Sequence, residues 1–499
     1  MKTGVRPRFN EPQLLLGGLA LSLLVGALAA LNPAFALVPI GLCAGFIIIR
    51  FPVVGLYLLF LGVFFLDWFA RVLHVIPSAS RYLTDGVLAL LLAAALWRGL
   101  SRTKRLRRTP LDAPLLGLVV IGIISALGNN DPWLLTLAGF RTLFKPILLF
   151  YILVYLDLNS RTLKRLIYFL IALGLLQIPV MLVQVRLYGG GGDFVTGTLG
   201  YFATGPVTIV ALSIMALLYG QAVAQSKKGR GVVFYGALGA SLFIPIILGE
   251  AKAGFFMAPL MLLYLFSGNV FRYLTRVRTW LLIILFVGIF FIGVQLMPTI
   301  NPRSQLVQFL QSPERIITEY DRPLEKTEGV PMSRLGDLQF AWQLVAANPF
   351  HLLFGFGPAQ SVETTFLGVT GELRQTHDLG IFLGFHQLSR TLLEWGLAGL
   401  LTYLFAILAV YRAVRSRFKR GAFDDFWRGV AWSFGGITVL FVLGIYYLPI
   451  WETEVTAYIF WTCAAALWTM GARGKDGAHT YASQKHGSFD RVHRGLGRK

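Results

Sequence analysis

Apolar residues in this chain come in long runs separated by short polar punctuation. Leu14–Leu31, Leu166–Val185 and Trp280–Met297 are nearly charge-free, and each is close to the ~20 residues that cross a hydrocarbon core. Read the same way, apolar segments fall near 13–31, 34–49, 52–66, 83–97, 115–128, 139–156, 166–185, 206–224, 231–249, 253–271, 280–297, 391–410, 429–450 and 455–471. The pattern predicts an all-α, polytopic transmembrane helix bundle of about 12–14 spans.

One polar interval breaks the rhythm. Residues 298–390 are too long for a connector, so they predict a large, partly helical loop between two late spans. The chain thereby divides into an N-terminal transmembrane bundle (1–297), this loop (298–390), C-terminal transmembrane helices (391–471) and a basic tail (472–499) without apolar periodicity, which reads as disordered.

Composition agrees. The 499 residues are 56% hydrophobic and 14% charged, against roughly 25% charged in soluble domains. Cys43 and Cys463 both lie in apolar runs and suggest neither a disulfide nor a CxxC metal site. The first apolar run is long for a signal peptide cleaved after "AFA" (34–36), which favours an uncleaved anchor.

The net charge of +21 changes the picture only once it is located. With both termini cytoplasmic, 32 of the 45 basic residues and 7 of the 24 acidic ones fall in inner segments. That is the positive-inside asymmetry of a multi-pass protein of the bacterial cytoplasmic membrane, surrounded by membrane lipids. The basic runs carry no interleaved aromatics, so nucleic acid is not an expected partner.

Candidate chemistry then concentrates on the outer side. "SRLGDLQFAWQLVAANPF" (333–350) is helical by pattern, with Ser333 as N-cap and Asn348-Pro349 as the stop. It is either an amphipathic helix on the bilayer surface or part of a site. Arg334 in its first turn is unusual, because a helix N-terminus disfavours a cation. "FGFGP" (354–358) permits tight turns and close backbone approach. In "LGEAKAGFF" (248–256), Glu250 and Lys252 sit at a hairpin tip, where they either mark function or snorkel to the interface. "RLYGGGGDFVTGTLGYFATGP" (186–206) is either an outer gate, a substrate-lining loop or a plain linker. Arg141 and Lys145 are spaced to receive an anion or to anchor their helix at the headgroups. His386, Arg390 and Glu394 recur every four residues on one helical face. There, Arg390 and Glu394 either serve a site or form an i,i+4 structural pair.

The outward cations Arg141, Lys145, Arg186, Lys252, Arg334 and Arg390 suit an anion at the membrane surface, since guanidinium groups grip phosphate oxygens bidentately. A lipid-linked diphosphate fits that description, and a histidine beside it can accept a proton or hydrogen-bond a phosphate. No DxD, HExxH or paired histidine pattern demands a metal, and no cofactor is implied.

"SRLGDLQFAWQLVAANPFHLLFGFGP", a following histidine and "LLEWGLAGL" together resemble the bacterial O-antigen ligase/polymerase superfamily. Its members show an Arg-led amphipathic helix, an "nP…GxG" turn, "HN", a glutamate and "GxxGL" opening the next span. "GTLGYFATGPVTIVAL" (197–212) looks like the family's upstream "GTFGNPN" segment, and "GEAKAGFF" looks like its "SRxA" tip. Here Lys252 stands for the arginine, Ala251 for the serine and Gln387 for the asparagine, and the His-to-Glu spacing is one residue shorter. The resemblance covers roughly residues 130–411. It implies an inverting, metal-independent glycosyltransferase of the GT-C type with a periplasmic site. Such an enzyme moves a glycan from undecaprenyl diphosphate to a glycan or lipid-core acceptor. It further implies that Lys252, Arg334 and His386 serve the diphosphate and the transfer, with His377 as the other candidate histidine. A transporter or flippase of lipid-linked glycans is the alternative; it predicts internal repeats and mid-membrane charges.

Overall fold

The computed structural model describes residues 37–101, 108–188, 190–201, 203–225, 229–267, 333–364, 369–376, 386–420 and 423–471, and a few isolated positions between 288 and 314. The spans expected at 13–31 and 280–297, the tail 472–499 and His377 lie outside the described residues.

The fold is a bundle of α-helices: α1 Leu37–Arg50, α2 Pro52–Asp67, α3 Leu83–Ser101, α4 Asp112–Gly128, α5 Trp133–Leu156, α6 Ser160–Tyr188, α7 Thr204–Ala224, α8 Gly229–Ser241, α9 Phe243–Leu248, α10 Lys252–Ser267, α11 Arg334–Ala346, α12 Pro349–Phe354, α13 Glu372–Thr376, α14 Gln387–Arg420, α15 Asp425–Leu443 and α16 at 454–471. The only strands among the described residues are Glu363–Thr364 and Val369–Thr370, paired antiparallel. Among the described residues, eight helical segments are long and apolar enough to cross a membrane. Within the described residues, the helices at 34–49, 115–128 and 253–271 are shorter, and 231–249 divides near Leu242 into α8 and α9.

Apolar character all round a helix marks the centre of a bundle. α7 and α16 have it, and nearly every residue in them is buried. α7 packs along α15, and the core fills with large rings, including Trp427, Trp451, Trp461, Tyr403 and Tyr458. Tyr403 stacks on Trp451 with centroids 3.9 Å apart, which fixes the turn before α16 against α14.

α14 is the broken element. Gly396 has φ 62°, ψ −169°, so the helical ladder stops after Trp395 and restarts beyond it. The break leaves carbonyls without helical donors. The "FGFGP" segment supplies them: Phe356 N donates to Leu393 O (2.7 Å) and Gly357 N to Glu394 O (3.2 Å). A Cβ at Gly355 would lie 2.5 Å from the Glu394 backbone, so this docking requires glycine.

Candidate functional site

α11 begins as its sequence dictates. Ser333 Oγ accepts from Gly336 N at 2.9 Å, closing the N-terminus, while Asn348 Oδ1 accepts from Phe350 N and caps α12. Rather than lying apart, α11 buries Ala341 and Val345 against Leu392 and Leu393 of α14. The first turns of α11 and α14 therefore meet.

At that junction His386 is fully buried. Its Nε2 lies 3.0 Å from the Arg334 carbonyl and 3.5 Å from Asp337 Oδ2, and its Nδ1 accepts from Ser389 N at 3.2 Å. Ser389 Oγ donates to Asp337 Oδ2. With Nδ1 accepting, Nε2 carries the proton, so the imidazole is neutral. Burial lowers the His386 pKa, outweighing the nearby Asp337 carboxylate, which raises it. Both imidazole nitrogens are engaged inside the protein, and the Nε2 bond joins His386 to the Arg334 backbone.

Arg334 is partly exposed. Its Nε donates to Tyr447 O (3.4 Å), and its guanidinium carbon lies 5.0 Å from the Tyr447 ring centroid. The same tyrosine borders the start of α7, where a Cβ on Gly205 would be 3.4 Å from its ring.

Three of the other cations expected on the outer side, Arg390, Arg141 and Lys145, are engaged by carboxylates. Arg390 Nη1 donates to Glu452 Oε2 at 2.7 Å, and Gln387 Nε2 donates to Glu452 Oε1 at 2.9 Å. Arg141 pairs with Asp85, and Lys145 with both Asp85 and Glu454. Arg390 and Glu394, read either as site residues or as an i,i+4 pair, each also reach another segment: Arg390 to Glu452, and Glu394 Oε1 to Ser361 Oγ, from which it accepts at 2.6 Å. The spans are also less free of charge than their hydropathy suggests: Lys145 is buried on α5, facing Asp85 of α3.

One short segment gathers these groups. Tyr447 receives Arg334, Leu448 O receives Gln387 N, Glu452 holds Arg390 and Glu454 holds Lys145. The structure thus unites Arg334, His386 and Arg390, and sets Lys145 and Arg141 beside them through Glu452–Glu454. Sequence reasoning missed Asp85, Asp337, Glu452 and Glu454. The signal was available, since the alternation that put the cations outside also puts Asp85, Glu452 and Glu454 there.

Glu250 and Lys252 occupy the turn into α10, with Glu250 at φ 53°. This turn borders the 190–203 loop: a Cβ at Gly249 would meet Val195 O at 3.6 Å. Arg186 is exposed at the end of α6 and has no ion-pair partner among the described residues. The glycine-rich loop is anchored to α6. Its Val195–Gly200 stretch is buried and pinned by Gln184 and Gln177 of α6, which pair with Gly197 and Thr198 at 2.7–3.1 Å.

No protein-family model and no curated protein sequence matches this chain.

Proposed function

We propose that this chain is an inverting glycosyltransferase that works at the outer face of a bacterial cytoplasmic membrane. It transfers a glycan from undecaprenyl diphosphate to a sugar hydroxyl on an acceptor glycan, as an O-antigen or exopolysaccharide polymerase or an O-antigen ligase. The observation that carries the reading is the meeting of Arg334 and His386, 52 positions apart, through a 3.0 Å hydrogen bond beside Tyr447. These are the residues that the motif resemblance singles out, and Arg334 keeps an accessible side chain next to the α7 N-terminus, a region of positive potential.

In this mechanism Arg334 holds the diphosphate. The acceptor oxygen attacks the anomeric carbon, and the bond from that carbon to the phosphate oxygen breaks. The hydroxyl proton passes to the departing diphosphate. Arg334 stabilises the negative charge that develops on the leaving group, a preorganised electrostatic role. His386 acts through Arg334 rather than on substrate. Lys252 contributes a further point charge from the neighbouring turn, and Arg390 stays in reserve on Glu452. Electrostatic assistance from one preorganised donor is commonly worth about 10²–10³ in rate.

The test is chain growth in proteoliposomes containing lipid-linked repeat units with EDTA, using wild type, Arg334→Ala and Lys252→Ala. Growth by wild type that Arg334→Ala loses by at least ~10²-fold supports a polymerase. Transfer only when a lipid core acceptor is added identifies a ligase. If labelled lipid crosses the bilayer with no transfer to either acceptor, the protein is a transporter.

A further inference from the structure

Arg334 stands at the first position of α11, where the helix dipole disfavours a cation, so something must fix it there. Two independent links do so. Tyr447 receives the guanidinium from one side. From the other side, the first turn of α11 is tied to the first turn of α14 by three groups that are almost wholly out of solvent: Asp337 at 1%, His386 at 0% and Ser389 at 0% exposure. Asp337 is the common point of this tie. Its Oδ2 accepts the Ser389 hydroxyl and lies 3.5 Å from His386 Nε2, the nitrogen that donates to the Arg334 carbonyl.

A carboxylate buried this deeply is costly unless it is paired and hydrogen-bonded. A hydrophobic side chain would close the same helix contact at lower cost, as Ala341 and Val345 do about one and two turns on. The charge therefore has another use. It lies one turn from the Arg334 backbone and polarises the imidazole that grips the Arg334 carbonyl. We propose that Asp337 is a positioning residue of the site, which with Ser389 and His386 aims the Arg334 guanidinium at its anion. This rests on the proposed role of Arg334 at the diphosphate.

The experiment reads Arg334 directly, so it does not depend on transfer. Full-length protein in nanodiscs is treated with phenylglyoxal, and modification is quantified by peptide mass spectrometry at Arg334 and at Arg390, which belongs to the adjacent pair. Asp337→Asn preserves shape and removes the charge. It is expected to raise Arg334 modification several-fold while leaving Arg390 at its wild-type rate, and to lower transfer roughly 10- to 100-fold, as a misplaced catalytic group does. Ser389→Ala, which keeps the carboxylate, should give a smaller rise at Arg334. Unchanged Arg334 reactivity in both variants overturns the proposal. So does an equal rise at Arg334 and Arg390, which marks general loosening of the fold. If Asp337→Asn does not fold, the Ser389→Ala result decides. Should wild type transfer nothing to either acceptor, the glycosyltransferase reading falls, while the labelling still judges the positioning.

Discussion

Arg390 and Glu452 join the start of α14 to the turn before α16 across 62 residues, at 2.7 Å and with side-chain exposures of only 18% and 8%. Such a pair is most visible when one half is removed. Glu452→Ala takes from Arg390 its carboxylate at 2.7 Å and from Gln387 an acceptor, and should cost on the order of 3–5 kcal/mol. Arg390→Met combined with Glu452→Ala should recover a large part of that loss. Unfolding midpoints in mixed micelles of increasing denaturing detergent would measure both, and a single variant as stable as wild type would leave the pair with no energetic role.

Lys145 is the most demanding cation in the fold. It is buried, contacts Asp85 and Glu454, and donates to Thr84 Oγ1 at 3.2 Å. Lys145→Met leaves Asp85 with Arg141 but takes from Glu454 the lysine it shares with Asp85. A loss of about 3 kcal/mol or more is expected, compounded by repulsion between the two acids. Adding Glu454→Gln relieves that repulsion and should restore folded yield, read by size-exclusion chromatography in detergent. Equal yields for the single and double variants would contradict a shared charge site.

What the sequence made legible was local. Ser333 and Asn348 cap their helices because a cap needs only a side-chain oxygen and an amide two or three positions along. Apolar runs located the helices for the equally local reason that a span must satisfy its own backbone. The spacing of His386, Arg390 and Glu394 also survives as a shared helix end, yet each finds a different partner: Asp337 with the Arg334 carbonyl, Glu452, and Ser361. No periodicity encodes that choice, because the partners arrive from other segments. The buried 195–200 stretch of the glycine-rich loop shows the same limit. Four glycines announced a loop, but its burial comes from Gln177 and Gln184, seven residues apart on one face of an otherwise apolar stretch of α6.

Asp131 supplies a pH dependence. Its Oδ1 accepts from Gln360 Nε2 at 2.6 Å, while Oδ2 is buried without a hydrogen-bond partner. Burial pushes its pKa from 3.8 up to about 6. The folded chain therefore binds this proton more tightly than the unfolded chain does. The group's contribution is fully present below about 3.8 and is lost as the pH rises through about 6. Because the residue is partly open to solvent, the loss at pH 8 is discounted to about 1–2 kcal/mol. Asp131→Asn should then be more stable than wild type at pH 8, with the difference vanishing toward pH 4. Thermal unfolding across that range would reveal it, and a pH-independent difference would refute the assignment.

Gly396 and Gly86 are both helical glycines by sequence, but opposite outcomes are expected on substitution. Gly86 lies exposed in α3, and a Cβ added there would have nothing within 4 Å. Gly86→Ala should stabilise by roughly 0.5–1 kcal/mol through backbone entropy alone. At Gly396 the left-handed φ of 62° already penalises any side chain, and a Cβ would stand 2.4 Å from the Leu353 carbonyl carbon and oxygen. Gly396→Ala must either push α12 away from α14 or refill the helix break. Refilling would reclaim the Leu393 and Glu394 carbonyls that now hold Phe356 and Gly357. Either route dismantles the turn that carries Ser361 to Glu394, at an expected cost above about 2 kcal/mol. Hydrogen exchange at the Phe356 and Gly357 amides distinguishes this from general weakening: those two sites should lose protection before the amides of α7 do.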